Sequence, residues 1–319
     1  GINAEYGQPL ADPCFESIDE YLQFFNTKMA QISFERTNTI QQTRDTKQDA
    51  KNRYYDILPY KHTQPPFYVN GNLVTMIDMD FFLTQAPLDI LEFHDQMFWL
   101  LPTQIIQVSP FVEKNLLKVN RYVPKVKNEA EHFTKQSALA HFLSIQLAAQ
   151  MNKNTQNPQT ENKALYDQEV ITTKNQLKIS AENYQENEIF VQIDLIYNKL
   201  DFTHKADYLF FKNWSDQSSP SNMEHIYDFC REIVKKQGIK VIHCSAGVGR
   251  STTLAICCLI IQQSVTNAAF QSWKDLSPSV YEMTEHFRVN RNPICVQTVD
   301  QFKFLFQFAD YVALRKRDK

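Results

Sequence analysis

Apolar runs of strand length alternate along this chain with longer stretches in which apolar residues recur every three or four positions, the two periods that separate strand from helix. The first helical stretch is Cys14 to Ser33, where Ile18, Tyr21, Leu22, Phe25 and Met29 share a face. Glu35 to Lys51 is rich in Thr, Gln, Asp and Arg and is expected to be a surface connection or a short helix. Phe67 to Val74 reads as a strand entering a turn, Ile90 to Leu101 as a buried helix and Thr103 to Val108 as a core strand. Glu129 to Met151 is helical in pattern, whereas the polar stretch Asn152 to Asn162 is expected to be a mobile loop. Leu177 to Ser180, Ile189 to Tyr197 and Ala206 to Phe211 are expected strands of an antiparallel region. Asn222 to Lys236 places Ile226, Phe229, Cys230 and Ile233 on one helix face, and Gly238 ends it. Further helix and turn are expected over Ile261 to Val280, and a closing apolar helix over Phe302 to Leu314, with Arg315 to Lys319 as a frayed basic tail.

One stretch breaks the alternation in an informative way. Lys240 to His243 suits a buried strand and Thr252 to Ile261 an apolar helix, and between them lies Cys244-Ser245-Ala246-Gly247-Val248-Gly249-Arg250-Ser251. A tight loop running from a strand into a helix N-terminus directs successive backbone N–H groups at one point, which is a cradle for a tetrahedral anion. Gly247 and Gly249 allow backbone angles closed to other residues. The amides of Ser245, Ala246, Gly247, Val248 and Gly249 are therefore candidate oxyanion ligands, and Cys244 is a candidate nucleophile at their centre. Loop amides, the positive helix end and the Arg250 guanidinium all favour a thiolate at Cys244. Arg250 also offers a planar fork for two phosphate oxygens, and Ser251 a hydroxyl able to donate to the sulfur as it departs.

Composition narrows the setting. With 319 residues, 43% of them hydrophobic, the chain can bury a large core, and nothing divides it into halves of different character. A formal net charge of -3 gives no bulk attraction to nucleic acid. The six cysteines, Cys14, Cys230, Cys244, Cys257, Cys258 and Cys295, show neither metal-ligand nor disulfide spacing, which fits a reducing, cytoplasmic setting. The longest apolar run, Leu254 to Ile261, is too short to span a bilayer.

The stretch His243-Cys244 to Arg250-Ser251 resembles the signature of the classical, cysteine-dependent protein tyrosine phosphatases. The resemblance extends in order from about Phe15 to Leu314. It implies one α/β domain over 1–319, with a highly twisted mixed β-sheet flanked by α-helices. Residues 1–50 would form an N-terminal helical region and 125–165 an insertion relative to the family. The implied activity is hydrolysis of phosphotyrosine in a protein or peptide partner, without a cofactor or metal.

Further motifs carry further roles by the same resemblance. Lys51-Asn52-Arg53-Tyr54-Tyr55-Asp56 is similar to the phosphotyrosine recognition loop, so Tyr54 would wall a deep slot and Asp56 would accept substrate backbone amides. Asn213-Trp214-Ser215-Asp216 is similar to the mobile acid loop, with Trp214 at the hinge, Asp216 as general acid and Ser215 where the family has proline. Glu113 lies where a glutamate holds the signature arginine, Lys118 near the acid loop, and His243 beside the nucleophile. Gln297 matches the glutamine that positions water, and Gln301 a second glutamine nearby. Ala86 replaces glycine in Thr84-Gln85-Ala86-Pro87-Leu88, Val123 replaces tryptophan before Pro124, and Thr252 stands where glycine is usual. These departures keep two alternatives open: a phosphotyrosine-binding pseudophosphatase with weak or no turnover, and a dual-specificity or lipid phosphatase with a broader pocket.

Overall fold

A computed structural model of the chain describes residues 11–43, 46–151 and 169–317, apart from the side chains of 46–48 and 148–151. Its centre is an eight-stranded mixed sheet. In chain order the strands are β1 (Gly71–Met76), β2 (Met79–Thr84), β3 (Gln104–Gln107), β6 (Val170–Thr172), β7 (Lys178–Glu186), β8 (Phe190–Lys199), β9 (Phe202–Phe211) and β10 (Lys240–His243). Two short strands, β4 (Val112–Glu113) and β5 (Leu116–Leu117), pair separately. The spatial order is β1-β2-β10-β3-β9-β8-β7-β6. β2, β10, β3 and β9 are mutually parallel, and antiparallel hairpins extend both ends.

Alternation along the parallel strands feeds two cores. Phe81, Leu83, Ile106 and Ile242 face one, and Phe82, Ile105 and Val241 face the other. Such strands, buried on both faces, read as continuous apolar runs, which is why Val241-Ile242 carried a strand signal despite its brevity. The first core is covered by α5 (Met223–Val234), α6 (Arg250–Thr266), α7 (Val280–Asn290) and α8 (Val299–Arg317), the second by α3 (Ile90–Leu100) and part of α4 (Glu131–Met151). Ile226, Phe229, Cys230 and Ile233 are fully buried, as their shared face predicts.

Several boundaries differ from the sequence reading. The first helix, α1 (Ile18–Phe24), starts after Ser17, which closes a capping box with Glu20, and Cys14 lies outside with φ 53°. It passes through a π-helical turn, Phe25–Met29, into α2 (Ala30–Thr37). The polar stretch after it contains a 3-10 helix, Thr46–Lys51. β1 begins at Gly71 rather than Phe67, where the Gly71 N–H turns back onto the Val69 carbonyl at 2.8 Å. The basic end is helical to Arg317 and tied down: Arg315 pairs with Glu224, and Arg317 donates to the Gln271 carbonyl at 2.9 Å. The loop expected at Asn152 to Asn162 lies outside the described residues. Among the described residues no helix is long and apolar enough to cross a membrane.

The N-terminal helices are joined to the domain through a buried charge cluster. Glu285 on α7 accepts from Ser33 at 2.7 Å and Arg36 at 3.0 Å, and Arg288 donates to the Ser33 hydroxyl at 2.8 Å. Glu285 and Arg288 are 3% and 4% exposed, so neither can fall back on water. Glu285→Ala leaves Arg288 buried without its counter-charge and should lower the unfolding free energy by about 3–5 kcal/mol, measured by urea titration, with Glu285→Gln falling between the two.

Candidate active site

β10 ends at the middle of the sheet, between β2 and β3, where parallel strands leave a crevice beyond their carboxyl ends. His243, its last residue, is buried, with Nδ1 at 3.0 Å from the Cys244 carbonyl and Nε2 at 2.7 Å from the Tyr122 hydroxyl. A carbonyl only accepts, so Nδ1 carries the proton and Nε2 accepts from tyrosine. Burial pushes His243 down to about 4, leaving it neutral near pH 7. In this geometry its ring holds the Cys244 carbonyl in place.

The loop that follows is compressed from two sides. Gly247 has φ +74°, and a Cβ there would lie 2.2 Å from the Thr84 carbonyl oxygen. Gly249 has φ −89°, outside the left-handed region, and is crowded instead: a Cβ there would stand 3.0 Å from Gln297 Oε1, so that side chain would have to give by a few tenths of an ångström. The Ala86 N–H donates to the Ser245 carbonyl at 3.0 Å, and Ala86 needs no left-handed backbone to do so. α3, α5 and α7 are capped by Asp89, Asn222 and Ser279, whereas α6 has no side-chain cap. Its first N–H groups remain available to an anion.

Cys244 sits within this turn, 4% exposed. Its sulfur accepts from the Gly247 N–H at 3.2 Å and lies 3.7 Å from Ser251 Oγ. Burial alone would push the thiol up, but Arg250, the Gly247 amide and Ser251 outweigh it and hold Cys244 below the ordinary thiol value. Arg250 is 1% exposed; its Nη1 donates to the Trp214 carbonyl at 2.8 Å and to Glu113 Oε2 at 3.3 Å, and its Nη2 to Asp216 Oδ1 at 3.0 Å. Its Nε is buried with no hydrogen-bond partner.

The segment Trp214 to Ser218 lies against Arg250. The Trp214 indole, 2% exposed, donates to the Ser218 carbonyl at 2.8 Å, and Ser218 Oγ donates to the Ser215 carbonyl at 2.7 Å. The Asp216 N–H donates to Glu113 Oε1 at 2.7 Å, so Glu113 holds both the arginine and the loop. Lys118 Nζ reaches Asp216 Oδ2 at 2.8 Å. Partial burial would raise the Asp216 carboxyl, yet Lys118 and Arg250 prevail and hold it below the usual carboxylate range.

Tyr54 and Gln297 frame the cradle. The Tyr54 hydroxyl is 3.0 Å from Ser245 Oγ, and its backbone is gripped at both ends by the Gln85 side chain, at 3.1 and 2.9 Å. Asp56, two residues on, is exposed beside it. The Gln297 N–H donates to Gln301 Oε1 at 2.8 Å, and Gln301 Nε2 reaches the Ser218 carbonyl at 3.4 Å. Ala246 is half-buried, whereas Ser245 and Val248 are buried. Apart from Asp56, whose side chain is exposed, the sequence-predicted site residues thus meet around one turn. Among the described residues no group of three or more His, Cys, Asp or Glu could hold a metal ion.

A sequence profile of the protein-tyrosine phosphatase family matches residues 48–311. The chain belongs to that family. It is 24% identical over 289 residues to the human tyrosine-protein phosphatase non-receptor type 13, covering 86% of this chain and 10% of that protein. Over 138 residues it is 30% identical to tyrosine-protein phosphatase 1 of Schizosaccharomyces pombe, covering 42% of this chain and 25% of the relative. The chain therefore spans only a minor part of these two curated relatives. The catalytic domain of human protein tyrosine phosphatase non-receptor type 18 superposes with a TM-score of 0.70 at 18% identity, covering 92% of this chain and 96% of that one. Trypanosoma cruzi TcPTP1 gives 0.68 at 20% identity, covering 94% and 92%. PTPN18 has also been solved in complex with HER2 phosphopeptides.

Within this phosphatase-family site, sequence reasoning missed the supports. Arg291 is fully buried beneath the signature loop and donates to the Gly247 carbonyl, Asn72 Oδ1 and Asn70 Oδ1 at 3.3, 3.2 and 3.1 Å. Burial lowers it to about 10, still protonated at neutral pH. A signal existed, since Val280, Phe287 and Arg291 are at helical spacing and a charge on that face must be buried. The electrostatics give a direct test. Arg250→Ala removes the nearest cation from Cys244 and should raise the midpoint of its alkylation-versus-pH curve by about 1–3 units, followed with iodoacetamide and mass spectrometry, while Cys244→Ser abolishes labelling at this position.

Proposed function

We propose that this chain hydrolyses phosphotyrosine in proteins or peptides through a phosphocysteine intermediate. The observation that carries this reading is the orphaned Nε of Arg250, a buried cationic donor beside a depressed-pKa thiol and an uncapped helix end. A bound phosphoryl group would satisfy all three together. The PTPN18 phosphopeptide complexes support a tyrosine-phosphorylated peptide as the substrate class.

In the first step the Cys244 thiolate forms an S–P bond as the tyrosyl P–O bond breaks, and Asp216 gives its proton to the leaving oxygen. Asp216 must be protonated then, although Lys118 and Arg250 favour its carboxylate in the free protein. The phosphoryl dianion resolves this by competing for Arg250 and placing negative charge near Asp216, both of which raise its pKa. In the second step water forms an O–P bond as S–P breaks. Asp216, now a carboxylate, takes the water proton, and Gln297 orients the water. Loop amides and Arg250 neutralise the equatorial oxygens throughout, the largest electrostatic contribution in such transfers.

The Tyr54 wall, anchored to Ser245 and Gln85, favours a long phenyl phosphate over short phosphoserine or a broad lipid headgroup. A thiolate nucleophile works only while reduced, which supports a reducing, cytoplasmic setting. Phosphate release from a phosphotyrosyl peptide is the test. Wild type should turn over, Cys244→Ser should bind without release, and Asp216→Ala should lose roughly 10²-fold or more in kcat while still binding. Tight binding by wild type with no release would establish the pseudophosphatase instead, and equal turnover of phosphoserine peptides or phosphoinositides would remove the deep-slot argument.

A further inference from the structure

Thr252 lies in the first turn of α6, at the seam between the signature loop and the loop that carries Gln297. Its hydroxyl has the Val248 and Gly249 carbonyls as acceptors, the latter at 3.1 Å, so its one proton stays within the nucleophile loop. As an acceptor it takes the Val296 N–H at 3.0 Å, a proton shared with the Val248 carbonyl at 3.1 Å. One hydroxyl therefore stitches the two loops together.

The far side of the stitch is a backbone that needs holding. Val296 has φ 54°, a left-handed conformation that is strained for a β-branched residue and persists only where neighbours over-determine it. Arg288 supplies a second restraint by donating to the Cys295 and Val296 carbonyls at 3.0 and 3.4 Å. The turn aims the next residue, Gln297, so that its Oε1 would be 3.0 Å from a Cβ on Gly249. A small rotation at Val296 would swing that amide away from the nucleophile loop.

We propose that Thr252 is a positioning residue for hydrolysis of the phosphoenzyme, acting through its hydroxyl to hold Val296, and so Gln297, against the signature loop. The inference rests on the phosphatase reading above. It is selective between the two chemical steps: the Cys244 sulfur, Arg250 and Asp216 perform the first, and Gln297 enters only when water attacks. Loosening Gln297 therefore slows breakage of the S–P bond while leaving its formation intact.

The experiment uses Thr252→Val, which keeps the shape and removes the hydroxyl, and Thr252→Ser, which restores it, with p-nitrophenyl phosphate followed by stopped flow and steady-state kinetics. Thermal unfolding of each variant verifies that it is folded. Because kcat/KM reports only through phosphoenzyme formation, Thr252→Val should lower kcat about tenfold and KM in parallel, with kcat/KM and the burst rate within about twofold of wild type. Thr252→Ser should recover most of kcat. The inference is overturned if kcat/KM falls in step with kcat, if kcat does not change, or if the serine variant is as slow as the valine. A wild-type protein that releases no p-nitrophenol would instead overturn the phosphatase reading itself, and the inference with it.

Discussion

Between the Thr84 carbonyl and the α-carbon of Gly247 there is no room for a methyl group, and the rest of the site depends on that contact. It presses the turn after β10 against the end of β2, with the Gly247 N–H directed at the Cys244 sulfur rather than into solvent. The same compression buries the sulfur. Burial alone would push its pKa up, and it is the guanidinium together with the amide and hydroxyl donors that turns the shift downward. Steric closeness and electrostatic preorganisation are here the same fact seen at two scales.

Arg250 is the second organiser, because it is shared. It binds the acid loop through the Trp214 carbonyl and Asp216, and the hairpin through Glu113, while keeping one buried donor unmatched. In the mechanism proposed above, Asp216 rests on the residue that an incoming phosphate would claim. Substrate charge and carboxylate charge would then compete for one cation, which would link binding to the protonation state that the proposed first step requires.

The strand–turn–helix around Cys244 was legible in the sequence because its pattern is local: Cys244, Gly247, Gly249 and Arg250 are within seven consecutive residues, flanked by a strand and a helix of clear period. The parallel centre of the sheet was less so, since β3 and β10 are four residues each and their order comes from crossovers that periodicity does not record. The supports were the least legible. Arg291 reaches Asn70 and Asn72 across some 220 positions, and Gln85 grips Tyr54 across 31. Contacts of that kind are created by the fold, so pattern can mark the residue as misplaced for its face without naming the partner. The same reason separates Ala86 and Thr252, both departures in sequence, from their structural meaning: Ala86 fits without distortion, whereas Thr252 has acquired bonds of its own.

Trp214 has a consequence for the serine that replaces proline beside it. Its buried indole bonds the Ser218 carbonyl, and Ser218 in turn bonds the Ser215 carbonyl, so the segment is cross-braced from one end to the other. A proline would restrict the torsions of one residue; the braces restrict the outline of the whole segment. Such a piece is stiff as a unit, and the rigidity absent from the backbone at Ser215 is supplied from outside it.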